Sequence, residues 1–256
     1  MAITSIYVVG PSSTGKSTLC GALLKHFIAE SQSQSSRGDR RGVLPYSISE
    51  VARTVMRERQ FTRNDVGTLA MQQAILEAQV KAERDALASL ASSSEPTKEK
   101  VLLSDRCAID ALVYTRKFVS ENAYKTLCET SEFQEALGRY RGERANDNEH
   151  VLFILTLPVA EWLIDDGTRN MDEPEAILGE FRHVLNEMKI PFVELGSEIM
   201  DLGRRVEWVI SNTRLLDLDV SMSNGRGIIG LGRVASELVR HLLWTLYSWV
   251  KSVVRS

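Results

Sequence analysis

The stretch Ile3-Thr4-Ser5-Ile6-Tyr7-Val8-Val9-Gly10-Pro11-Ser12-Ser13-Thr14-Gly15-Lys16-Ser17-Thr18 decides the fold. It opens with a short β-branched run, and residues 10–17 then fit G-x-x-x-x-G-K-[ST] in full. Beyond the motif, Leu19, Leu23, His26 and Phe27 recur at helical spacing, so a helix is expected over residues 17–30. A strand running into the first glycine and a helix running out are the context in which this pattern cradles phosphate. The glycines let the backbone turn tightly, so successive N–H groups converge on an anion. Lys16 brings a point charge to the β/γ phosphates, Ser17 offers a hydroxyl to Mg²⁺, and the helix adds its positive N-terminal end. Gly10, Ser12, Ser13, Thr14, Gly15, Lys16, Ser17 and Thr18 are therefore the expected nucleotide-binding residues.

Outward from this stretch, further strand candidates alternate with helices. Residues 43–49 form the second strand candidate, followed by a helix to about Arg59. Asn64 or Asp65 is placed to cap a long helix to about Leu90, with the stripe Met71, Ile75, Ala78, Ala82. Residues 101–104 read as a strand, and mostly helical segments follow to about Arg144. Residues 150–157 (H-V-L-F-I-L-T-L) are a continuous apolar run of the kind buried on both faces of a sheet. A helix is expected after Pro158 and another over 174–189, then a strand over 191–195 and a helix over 203–211. The polar stretches 31–42 and 92–100 read as surface loops. Strands each followed by helix predict an α/β fold, a five-stranded parallel sheet with helices on both faces. The expected organisation is a phosphate-loop domain over 1–213, a flexible linker over 214–231 and an amphipathic helix over 232–256.

The composition agrees with a globular domain of this kind. The chain has 256 residues, 43% hydrophobic and 25% charged, enough to bury a core without disulfide or metal staples. Lys and Arg number 31 against 34 Asp and Glu, a net of −3 with pI near 5.9, so no basic footprint for nucleic acid is present. Cys20, Cys107 and Cys128 are too scattered for a disulfide framework or a metal cluster. They read as buried or half-buried thiols in a reducing, cytoplasmic compartment. The N-terminus lacks the basic region and the apolar length of a signal peptide. Nothing in the first 230 residues approaches the ~18 apolar residues of a spanning helix.

Phosphoryl chemistry also needs a carboxylate near Mg²⁺ at the C-terminal edge of the sheet. Asp105 follows the strand candidate 101–104 and fits that role, and it can also cap the helix that begins near Cys107. Arg106 beside it reads as a phosphate or substrate contact, or as half of a surface ion pair. Glu50 ends Ser47-Ile48-Ser49-Glu50, with Arg53 close behind on the following helix. Glu50 is the expected general base for an attacking hydroxyl, with an N-terminal helix acid as the plainer alternative. Glu161-Trp162-Leu163-Ile164-Asp165-Asp166-Gly167-Thr168-Arg169-Asn170 follows the fourth strand candidate. It reads either as a segment closing over phosphates, with Arg169 clamping the transition state, or as a solvated helix end capped by Gly167.

The phosphate loop, Glu50-Val51-Ala52-Arg53, Ser104-Asp105-Arg106 and E-W-L-I-D-D-G-T-R together resemble the NadR/TRPL-translocation-defect AAA-type P-loop domain family. The resemblance covers residues 3–212 and extends to the Lys189-Ile190-Pro191-Phe192-Val193-Glu194 stretch. It implies a nucleoside- or nucleotide-kinase-like fold with ATP as donor. The chain is more distantly similar to deoxynucleoside kinases, whose glutamate base and acid–Arg pair match Glu50 and Asp105-Arg106. Another branch of the family includes phosphoinositide-binding GTPases of membrane trafficking, which leaves the reaction open.

The leading reading is a kinase that moves the ATP γ-phosphoryl to a hydroxyl of a nucleoside-like, nicotinamide-riboside-like acceptor. Lys16 and Ser17 would hold the phosphates and Mg²⁺, Asp105 the metal, Glu50 the proton and Arg169 the transition-state charge. Arg53, Arg106 and Glu50 would contact the acceptor, and Gln72 or Gln73 would read its ring or simply face solvent. The alternatives are a regulatory ATPase or GTPase and a nucleotide-binding scaffold without turnover. No N-K-x-D guanine motif is present, and the only D-x-x-G, Asp39 to Gly42, lies in the polar loop. Residues 230–256 carry four Lys/Arg and one Glu, with Val239, Leu242, Leu246, Trp249, Val250 and Val253 on one helical face. That face suits a membrane interface, a partner protein or the chain's own core.

Overall fold

The β-branched run ahead of Gly10 becomes β1 (Ile3–Val9), the middle strand of a five-stranded sheet. Joined by β2 (Val43–Ile48), β3 (Glu99–Asp105), β4 (Glu149–Thr156) and β5 (Phe192–Leu195), it gives the order β2-β3-β1-β4-β5, every pairing parallel. The computed structural model describes residues 3–36, 42–49, 51–93, 99–142, 149–162 and 174–223. It divides into the units Met1–Leu202, which holds the sheet, and Gly203–Ser256. The chain moves to one side of β1 for β2 and β3 and to the other for β4 and β5. The loop after β1 therefore opens where open parallel sheets bind ligands.

Alternate residues of the central strands face opposite sides. Tyr7, Val9, Leu102, Phe153 and Leu155 join an apolar cluster with α3 (Leu69–Ser92), α4 (Ala108–Phe118), α5 (Glu121–Cys128), α6 (Ser131–Tyr140) and α7 (Pro174–Glu187). Tyr7 stacks on Phe153 with centroids 4.9 Å apart and meets the edge of Tyr140 at 5.1 Å. The alternate positions Ile6, Val8 and Leu103 are fully buried on the opposite side, where α1 (Lys16–Ser36) packs. The short α2 (Val51–Glu58) leads into a 3-10 turn, Arg63–Gly67, and packs on α3. All three thiols are free, with Cys20 and Cys107 buried and Cys128 half-buried.

Four boundaries depart from the sequence expectation. The polar stretch 31–42 was expected to be loop, yet α1 continues through Ser36. Elongation adds a hydrogen bond for each residue fixed, and neither Gly nor Pro interrupts the chain between Gly21 and Gly38. The long helix starts at Leu69 with Thr68 as its cap, not at Asn64 or Asp65. Asp65 instead accepts from the Thr62 N–H at 2.7 Å and closes the capping box of the 3-10 turn. After Pro158 the described backbone forms only the short 3-10 turn Ala160–Trp162. In the second unit α8 (Leu202–Ser223) runs through the start of the expected 214–231 linker. Neither Gly nor Pro falls between Gly203 and Gly225, so nothing in the sequence stops its elongation. The expected helix over 232–256 lies outside the described residues. Among the described residues no helix is long and apolar enough to cross a membrane.

Candidate active site

The loop between β1 and α1 is held open by backbone geometry that favours glycine. Gly10 has φ +135°, and a Cβ there would lie 2.6 Å from the Thr156 carbonyl oxygen of β4. Gly15 has φ +81°, and a Cβ there would come within 3.2 Å of the Trp162 ring. The ring therefore lies against the phosphate loop. Ser13 also takes a positive φ, 60°, so the chain turns sharply between the two glycines. The Thr14 and Thr156 hydroxyls, 2.6 Å apart, tie the loop to the end of β4. Lys16 is buried, and its ammonium donates to the Pro11 carbonyl and, at 3.2 Å, to Thr14 Oγ1.

Pairing of β1 with β3 sets Val8 opposite Asp105 and brings that carboxylate to the start of α1. Ser17 Oγ donates to Asp105 Oδ2 at 2.5 Å. A hydroxyl and a carboxylate are hard oxygen donors, and Ser17 is open to solvent. The pair fits Mg²⁺, which is ordinarily held by one or two protein oxygens, with substrate phosphates and water completing the shell. Among the described residues no cluster of three His, Cys, Asp or Glu could hold a metal. Asp105 does not cap α4. Cys107 is the cap position, and Asp110 accepts its N–H at 3.1 Å.

Arg106 sits in the left-handed region at φ 77°, with its N–H on the Val8 carbonyl at 3.0 Å. Its guanidinium pairs with the buried Asp110 at 2.7 Å, inside the site rather than on the surface. Burial pushes the Asp110 carboxyl up, against the pull of Arg106 and then Lys16. The Arg106 carbonyl accepts from Ser104 Oγ at 2.6 Å and from Gln79 Nε2 at 3.3 Å. Gln79 also donates to Glu83 Oε1 at 3.1 Å, and Glu83 pairs with Arg139 at 3.2 Å. Tyr140 donates to Glu83 Oε2 at 2.8 Å and accepts the Ala108 N–H at 3.2 Å. A buried polar chain thus props both the end of β3 and the start of α4.

The phosphate loop forms one wall of a cavity of about 480 Å³, within the size range of ligand sites. Residues 12–18, Asp105 and Arg106 share it with Arg53, Met71, Gln72 and Gln79. Gln72 is buried there, donating Nε2 to the Val66 carbonyl at 2.8 Å. Gln73 is exposed, bonds Glu77 at 2.8 Å and does not line the cavity. Glu50 and Arg169 lie outside the described residues. Sequence reasoning missed Arg57, Arg63, Asp110 and Tyr114, all on the lining. Tyr114 places its hydroxyl 3.2 Å from Ser12 Oγ. The four-residue spacing of Arg106, Asp110 and Tyr114 was an available signal. Nothing in the sequence places Trp162 against Gly15.

A family model described as an AAA domain matches residues 5–201. The fold is shared with a crystal structure of NadR protein in complex with NAD and AMP-PNP, at 19% identity and TM-score 0.51. That match covers 90% of this chain and 52% of the NadR chain. A second NadR structure, in complex with NR, aligns at 17% identity and TM-score 0.52, over 90% and 53% of the two chains. The chain thus spans about half the length of these NadR proteins. A deoxyadenosine kinase from M. mycoides with bound dATP aligns at 14% identity and TM-score 0.46, over 84% of this chain and 100% of its own. No curated protein matches the chain.

Proposed function

Because the chain belongs to the AAA domain family, and its phosphate loop shares one cavity with residues of α2, the 3-10 turn and α3, we propose that it is a small-molecule kinase. It binds ATP with Mg²⁺ and transfers the γ-phosphoryl to a hydroxyl of a nucleoside-like acceptor. The observation that carries this reading is the shared cavity. A hydrolase needs room only for water beside the γ-phosphate, whereas here residues of α2, the 3-10 turn and α3 line the same cavity as the phosphate loop, where an acceptor would sit.

In this mechanism the loop N–H groups and Lys16 hold the β/γ phosphates. Nucleotide entry draws the Lys16 ammonium off its own loop carbonyl and onto phosphate oxygens. Ser17 and Asp105 would hold Mg²⁺, which would neutralise phosphate charge. Glu50 takes the proton as the acceptor oxygen bonds to phosphorus and the bond to the ADP oxygen breaks. Arg169 balances the charge of the transferring group, and Glu50, Arg53 and Arg106 touch the acceptor, with Asp110 holding Arg106 in place. The interfacial reading of residues 232–256 is a separate proposal, open to test by co-sedimentation with anionic liposomes.

The test is ADP formation by the pure chain across a panel of nucleosides, nucleotides and nicotinamide riboside, with GTP as a parallel donor. Acceptor-dependent ADP formation, with the phosphoryl recovered on the acceptor, supports the kinase. Hydrolysis that no acceptor stimulates overturns it in favour of a regulatory NTPase.

A further inference from the structure

The first turns of α4 bring Asp110 and Tyr114, four residues apart, to the lining of the cavity. The start of that helix is braced. Asp110 accepts the Cys107 N–H at 3.1 Å and pairs with Arg106 at 2.7 Å, and the Ala108 N–H goes to Tyr140 at 3.2 Å. The Tyr114 ring leans on Phe118 with centroids 5.7 Å apart, and its hydroxyl lies 3.2 Å from Ser12 Oγ. Ser12 is 9% exposed and stands between Pro11, whose carbonyl accepts from the Lys16 ammonium, and Ser13 with its φ of 60°. At this bend the Ser12 side chain reaches across to α4 instead of bonding within its own loop.

The contact leaves one donor over. Each hydroxyl carries a single proton, and only one of the two can lie along the contact between them. Among the described residues neither hydroxyl has another hydrogen-bond partner. One O–H is therefore unspent, and both residues line the cavity. The Thr14–Thr156 pair beside it shows the contrast. There the two hydroxyls are 2.6 Å apart, and the Pro11 and Val9 carbonyls, at 3.0 and 3.1 Å, take up the second proton. That pair is satisfied by the protein itself, whereas the Ser12–Tyr114 pair favours an occupant that brings an acceptor oxygen. A phenol is a stronger donor than an alkyl hydroxyl, and a phosphoryl oxygen is a stronger acceptor than either. The best pairing has Ser12 donating to the Tyr114 oxygen and Tyr114 donating onward.

We infer that Tyr114 reads the terminal phosphoryl group of the nucleotide, donating its hydroxyl to a phosphoryl oxygen while Ser12 orients that hydroxyl. The protein thereby distinguishes a nucleoside triphosphate from the diphosphate. Transfer to an acceptor requires the terminal phosphoryl to face the cavity, so its place beside this pair rests on the kinase reading, while the unspent donor stands on the two hydroxyls alone. The competing partner for the donor is the acceptor's own oxygen, which would leave the preference between triphosphate and diphosphate untouched.

Calorimetric titration of the full chain with AMP-PNP or ADP, each with Mg²⁺, tests this in the wild type, Tyr114→Phe, Ser12→Ala and the double variant. Tyr114→Phe keeps the ring beside Phe118 and removes only the hydroxyl. It should weaken AMP-PNP by about tenfold or more, the scale of one hydrogen bond to a charged group, with ADP within about twofold of wild type. Ser12→Ala should weaken AMP-PNP less, and the double variant should bind it no worse than Tyr114→Phe, because the two hydroxyls act as one unit. Equal losses for AMP-PNP and ADP overturn the inference, since the pair would then only tie the loop to α4. Unchanged affinities for both nucleotides in Tyr114→Phe, or a selective loss confined to Ser12→Ala, overturn it too. A selective loss in a protein that transfers phosphoryl to no acceptor upholds the contact and removes the kinase reading. Acceptor-dependent transfer by a protein whose Tyr114→Phe variant keeps both affinities does the reverse.

Discussion

Glu83→Gln should destabilise the protein by roughly 3–5 kcal/mol, because it removes the buried counter-charge of Arg139 and leaves that cation only the half-exposed Glu135 carboxylate, 3.6 Å away. The Arg139 side chain is 1% exposed and that of Glu83 0%, with 3.2 Å between Nη2 and Oε2. Burial raises the Glu83 carboxyl, and Arg139, Tyr140 and Gln79 oppose that rise. The substitution therefore measures which influence wins. At 2–4 °C per kcal/mol for a domain of this size, thermal unfolding should fall by about 6–20 °C. Among the described residues Arg139 Nε is buried without a hydrogen bond, so the pair is incompletely satisfied. Glu83→Gln combined with Arg139→Met should then recover most of the loss, since removing both charges relieves the desolvation of both. Urea and thermal unfolding of the wild type, both single variants and the double variant close the cycle. A loss below about 1 kcal/mol for Glu83→Gln would mean that burial keeps Glu83 protonated, and the ion-pair reasoning would be refuted. Additive losses in the double variant would refute it as well.

Gly10→Ala must hold a non-glycine residue at φ +135° with its Cβ 2.6 Å from the Thr156 carbonyl. It should cost about 1–3 kcal/mol in chemical unfolding and weaken nucleotide binding by more than tenfold in titration. Gln79→Leu removes the donor shared by Ser104 Oγ, the Arg106 carbonyl and Glu83. Steady-state kinetics should show kcat down by about tenfold with the KM for ATP within twofold, since the loop is untouched while the strand end is not. Burial pushes the Cys128 thiol up to about 11, so at pH 8 almost none of it is thiolate. Its alkylation by iodoacetamide at pH 8 should run roughly 100-fold slower than that of free cysteine and rise about tenfold per pH unit towards pH 10. Mass spectrometry checks that rate, and fast labelling at pH 8 contradicts the burial.

The parts of the fold that were legible in the sequence are those whose signals are local. The run Ile3–Val9 abuts Gly10, so the first strand and its loop read off with no tertiary knowledge. Helix ends were harder, because elongation through Ser31 or Leu215 needs only the absence of a breaker, whereas composition suggested a loop. The Ser17–Asp105 contact joins residues 88 apart, and only the β1–β3 register brings them together. Asp105 could be nominated from its strand-end position, but the next helix is capped at Cys107, whose N–H goes to Asp110 and not to Asp105. Gln79 and Glu83 were the largest oversight. They are buried polar positions on α3, where polar residues along an otherwise apolar stripe mark an internal network. Their partners, Ser104, Arg106, Arg139 and Tyr140, come from β3, the segment after it and α6, so no local pattern names them.

Titration of ATP in the presence of Mg²⁺ into the wild-type chain and Lys16→Ala asks whether the loop after β1 holds the phosphates. One saturable site is expected for the wild type. Loss of the Lys16 ammonium, which already lies within the loop beside Pro11 and Thr14, should weaken binding by about 10–100-fold, the scale of a charge-assisted contact to phosphate. Equal affinity in the two proteins would contradict the assignment of this loop, and with it the kinase built upon it.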